Sequence, residues 1–66
     1  MSVRLRAWAL KCEKDLREYE HIKTVLDRYY PEGENYIADE AKESLSKIIT
    51  NLRDFIDYLG QLMRAR

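Results

Sequence analysis

Sixty-six residues make one small domain at most, below the length at which a single hydrophobic core is comfortably stable. Twelve acids offset twelve bases, so no net charge draws the whole chain onto nucleic acid or a membrane surface. A single cysteine excludes an internal disulfide, and no Cys/His cluster offers a structural zinc site.

The longest apolar run near the start, Ala7-Trp8-Ala9-Leu10, is too short for a signal-peptide core or a membrane span. The expected compartment is therefore the cytoplasm, or a host cell's cytoplasm were the gene viral.

Residues 3–29 contain neither glycine nor proline and are rich in Leu, Arg, Lys, Glu and Ala, which predicts a first helix over that range. Pro31 pushes Tyr30 out of helical dihedrals and Gly33 permits a left-handed turn, so residues 30–35 form the loop. Asn35 is the expected N-cap of a second helix over residues 36–64. Asp39, Glu40 and Glu43 suit the positive pole of its dipole, and Arg64 and Arg66 the negative one. Gly60 is the one poor helix former inside it, costing about 1 kcal/mol against alanine. A close helix approach or a frayed last turn would account for it.

The apolar spacing in the two helices implies their arrangement. Alternating three- and four-residue steps pick out Leu5, Trp8, Cys12, Asp15, Tyr19, Ile22, Leu26 and Tyr29 in the first. In the second they pick out Ala38, Ala41, Leu45, Ile48, Leu52, Phe55, Leu59 and Leu62. Folding about Gly33 stacks these seams layer by layer, Leu5 with Leu62 through to Tyr29 with Ala38. The expected architecture is all-α, an antiparallel two-helix hairpin forming a single domain over residues 1–66.

A second stripe of Ala9, Leu16, Ile49, Ile56 and Met63 lies beside that seam, and burying it calls for association. Two hairpins forming a four-helix bundle about a twofold axis is the simplest symmetric solution, with this stripe as the dimer seam. Residues 1–17 with 53–66 carry eight bases and four acids, whereas residues 18–52 carry four bases and eight acids. A homodimer with loops at opposite ends sets these unlike ends together, so the antiparallel arrangement is preferred.

Few residues suggest chemistry. Asp15 is the only charged residue on the seam. It is either a buried specifier of register or a rim residue displaced by a small helix rotation that brings in Leu16. Glu18 and His21 form a Glu-x-x-His pair of the kind carboxylate-bridged di-iron bundles use. Helix 2 contributes no inward glutamate, however, so no metal site is expected. Cys12 reads as a small buried hydrophobe. No Ser/His/Asp set, glycine-rich phosphate loop or pair of core carboxylates is present, so no catalysis and no cofactor are expected.

Two surfaces remain as candidates. Tyr29, Tyr30, Glu32, Glu34 and Tyr36 place aromatics among acids around the loop, a composition that either caps the core or anchors a protein partner. Arg4, Arg6, Lys11, Lys14, Arg17, Arg64 and Arg66 concentrate positive charge at the opposite end, where phosphates could be held. Small dimeric hairpins such as the plasmid copy-number regulator Rop bind RNA along a bundle face. The chain resembles Rop in length and hairpin plan, without a shared motif. The expectation is a small noncatalytic adaptor, inhibitor or regulator that acts as a homodimer on a protein partner. The alternative is a Rop-like nucleic-acid-binding regulator.

Overall fold

The computed structural model describes residues 3–65. It contains two helices, α1 (Val3–Tyr29) and α2 (Tyr36–Arg64), packed against each other as a hairpin. Across its Cα atoms the hairpin measures 49 × 14 × 12 Å.

The turn follows from three residues. The Glu34 N–H donates to the Pro31 carbonyl at 3.2 Å, and Gly33 takes φ +89° with no other described residue at positive φ, which is a type II turn with glycine where the left-handed residue belongs. The Gly33 N–H then donates to Asp39 Oδ2 at 3.1 Å, tying the turn to the first turn of α2. Asn35, extended at φ −139° and ψ 109°, caps that helix by accepting from the Ala38 N–H at 3.1 Å. Lys42 Nζ donates to the Tyr30 carbonyl, so α2 also holds the chain as it leaves α1.

Side-chain burial sorts the apolar residues into three heptad columns. The middle column is Leu5, Cys12, Tyr19 and Leu26 in α1 with Ala38, Leu45, Leu52 and Leu59 in α2, and every member is buried or half-buried. One flank is Ala9, Leu16 and Lys23 with Lys42, Ile49, Ile56 and Met63; these too are buried or half-buried, Ile49 with 6% of its surface exposed. The other flank is Trp8, Asp15, Ile22 and Tyr29 with Ala41, Ile48, Phe55 and Leu62. All of its large apolar side chains are exposed.

The flanks are thus exchanged relative to the packing expected from spacing. The stripe of Ala9, Leu16, Ile49, Ile56 and Met63 lies inside a single hairpin and not on its outer side. Trp8, Ile22, Phe55 and Leu62, expected between the helices, face outward. A three-column stripe can close along either flank, and the choice sets the handedness of the hairpin; periodicity is blind to it. Two features favour the flank used. Ala9 is small and lets the backbones approach, whereas Trp8 and Phe55 would hold them apart. Polar residues bordering the used flank are also complementary across the hairpin, Glu20 to Arg53 and Asp27 to Lys42.

Gly60 is not a close-approach glycine. The nearest atoms that a Cβ there would meet belong to the Arg64 guanidinium, 3.4 Å away on the same helix.

Candidate functional site

The hairpin has two unlike faces. One is sealed by charge. Arg53 pairs with Glu20, and Lys23 and Lys42 converge on the two carboxylate oxygens of Asp27 at 3.0 and 3.6 Å. The Lys23 and Lys42 stems lie along the used flank and their heads reach this face, so methylenes close the loop end of the seam where aliphatic residues stop. Lys23, hydrogen-bonded to the Asp27 carboxyl, holds it below the usual carboxylate range, with Lys42 assisting.

The other face is apolar and open. Trp8, Ile22, Ile48, Phe55 and Leu62 stand exposed along it, and a shallow groove runs between the helices, lined by Asp15, Tyr19, Ile48, Asn51, Leu52 and Phe55. Asp15 sits at the rim of this groove, half-buried. Its carboxylate accepts from Lys11 Nζ at 3.0 Å, one helical turn back, and that contact raises the Lys11 ammonium above its ordinary value. Leu16 takes the inward place beside it, so Asp15 is a rim residue and not a buried charge. Cys12 is half-buried in the middle column.

At the loop end the aromatics are exposed. Tyr29 and Tyr36 expose 69% and 74% of their surface and Ile37 exposes 77%, beside exposed Glu32 and Glu34. Tyr30 is less open and lies against Lys42 through its carbonyl. The Tyr36 hydroxyl donates to Glu40 Oε1 at 2.7 Å, which pushes the phenol pKa up and fixes the ring along α2. With most of their surface open, the Tyr29 and Tyr36 rings do not cover the end of the core. Ile37 belongs to the same patch; it falls outside the seam frame, and its position beside Tyr36 at the helix start was the available signal.

The basic residues do not share a face. Arg4 and Lys11 border the open apolar face, Arg6 borders the opposite, charge-sealed one, and Lys14, Arg17 and Arg64 point away from both; all are exposed. Arg66 lies outside the described residues. Glu18 and His21 are both exposed, and the described residues contain no group of three or more His, Cys, Asp or Glu side chains able to hold a metal ion. No described helix is long and apolar enough to cross a membrane.

No protein-family model, curated protein or solved structure matches the chain. Any functional reading therefore rests on the surfaces themselves.

Proposed function

We propose that this chain is a small noncatalytic protein-interaction module, a homodimeric helical hairpin that engages a protein partner through its loop end. The observation that carries the reading is the exposure of Tyr29, Tyr36 and Ile37 around an acidic turn that is itself held by Asn35, Asp39 and Lys42. Amphipathic rings presented from a fixed backbone lose little conformational entropy on binding, which is how a few aromatic anchors carry most of an interface. The flanking Glu32 and Glu34 favour a partner with a basic rim.

Nucleic-acid binding is the competing reading and has weaker support. Its basic residues are distributed around α1, so few of them could reach one phosphate backbone together. A pull-down from the native cell, with and without nuclease, compares the two. Tyr36→Ala combined with Glu32→Lys is expected to lose the partner with helicity unchanged, while Arg6→Glu, Lys14→Glu and Arg17→Glu, basic-end changes clear of the open apolar face, together leave capture intact. Nuclease-sensitive capture that only the basic-end variant abolishes would replace the proposal with the Rop-like alternative.

A further inference from the structure

The open apolar face calls for an occupant, because a lone hairpin has almost no core. Only Ala9, Ala38, Ile49 and Leu59 are buried among the described residues, and two of these are alanines. The middle column (Tyr19, Leu45 and Leu52 among it) is half covered and needs a further layer to become an interior.

We infer that this layer is a second copy of the chain, docked on the Trp8–Ile22–Ile48–Phe55–Leu62 face with its loop at the opposite end. The inference rests on the homodimeric part of the reading above and is independent of what the loop end binds. It also moves the dimer seam from Ala9, Leu16, Ile49, Ile56 and Met63 to the opposite flank.

Three observations favour a second copy over another protein. The first is self-complementarity. A twofold axis that sets the loops at opposite ends places α1 against α1 and α2 against α2, each antiparallel. Trp8 then meets Ile22 of the second copy, Ile48 meets Phe55, and the small Ala41 meets Leu62. Lys11 meets Glu18 of the second copy beside them. These pairings require the axis to pass by position 15 in α1 and between 51 and 52 in α2. Asp15, Asn51 and Leu52 line the same groove, so one axis satisfies both helices. The second is charge. The end holding residues 1–17 and 53–66 has four more bases than acids and the loop end four more acids than bases, so opposite orientation sets unlike ends together. The third is size. The face projects to about 700 Å² from its 49 × 14 Å extents, near the roughly 800 Å² per partner of stable interfaces. Asp15 meets its own copy at the axis, where the Lys11 ammonium 3.0 Å from each carboxylate supplies the counter-charge.

Sedimentation of the purified protein, together with single-cysteine cross-linking in a Cys12→Ala background, tests this. The wild-type chain is expected to sediment as a dimer, and Phe55→Glu to raise the dissociation constant more than about a hundredfold, since it would bury an unpaired charge. Asn51→Cys is expected to give covalent dimer with a short bismaleimide, because position 51 lies beside the axis and meets its own copy. Lys47→Cys, exposed on another side of α2, is expected to remain uncoupled. Cross-linking keeps the test decisive if Phe55→Glu does not fold. A dimer coupled at 47 and not at 51, or a parallel dimer in which the two positions 51 lie on diagonal helices and fail to couple, would overturn the face or its orientation while leaving homodimerisation standing. A monomeric wild-type chain would overturn both.

Discussion

Glu20 and Arg53, thirty-three positions apart in the chain, form an ion pair that spans the two helices on the side opposite the apolar face. With Asp27 and Lys42 it lines the flank along which the hairpin closes, and neither pair could form if the helices met along the other flank. The pair is solvent-exposed, so its weight is small, about 0.2–1 kcal/mol. Glu20→Arg is expected to lower the thermal midpoint slightly and Glu20→Arg with Arg53→Glu to restore it, the recovery fading in 1 M salt. A double exchange no more stable than the single change would show that the pair has no part in choosing the hairpin's hand.

Ile48 and Ile49 are neighbours in sequence on opposite sides of that choice. Ile49 is buried between the helices and Ile48 is exposed on the open face. At protein concentrations low enough to keep the chain monomeric, Ile49→Ala is expected to cost about 2–4 kcal/mol in chemical denaturation. Ile48→Ala should cost well under half of that. The reverse order would return the hairpin to the packing that spacing alone suggests.

The two helices and their turn were legible because their determinants are local. Pro31, Gly33 and Asn35 act through backbone geometry within a few residues, and a helix interior free of glycine and proline needs no tertiary help to be recognised. Which flank closes is a tertiary matter. The same periodicity fits both hands, and the difference lies in the sizes of Ala9 and Trp8 and in charges that meet only after folding. Asp15 was readable only as an ambiguity, since its place at the rim depends on the rotation that brings Leu16 inward. The exposure of Tyr29 and Tyr36 was likewise undetermined, because capping and presentation use the same residues and differ only in side-chain direction.

The two glycines are expected to respond in opposite directions. Gly33 needs its left-handed φ of +89°, so Gly33→Ala should destabilise by about 1–2 kcal/mol although nothing lies within 4 Å of the added methyl. Gly60 has helical neighbours and ordinary van der Waals room, so Gly60→Ala should stabilise by about 1 kcal/mol. Paired thermal melts measure both. Loss of stability at Gly60→Ala would mean that something beyond a single hairpin packs closely there.

Acid should loosen the loop end through Asp27. Its carboxyl is held below the ordinary value of 3.8, first by the hydrogen bond from Lys23 and further by the charges of Lys23 and Lys42. A depressed folded-state pKa means that the unfolded chain takes up the proton first as pH falls. The stabilisation is therefore present in full above the ordinary carboxylate range and is lost as pH drops through the lowered value. Lys11 has the opposite sense. Its ammonium is raised above 10.5, chiefly by the hydrogen bond to Asp15, so its contribution persists through neutral pH and fades only in strong alkali. The thermal midpoint of the wild-type chain should fall as pH drops from about 5 through the lowered value, and Asp27→Asn should begin lower at neutral pH and fall less over that interval. Parallel curves for the two proteins would place the acid sensitivity on other carboxylates and leave Lys23 and Lys42 as solvated covers of the seam.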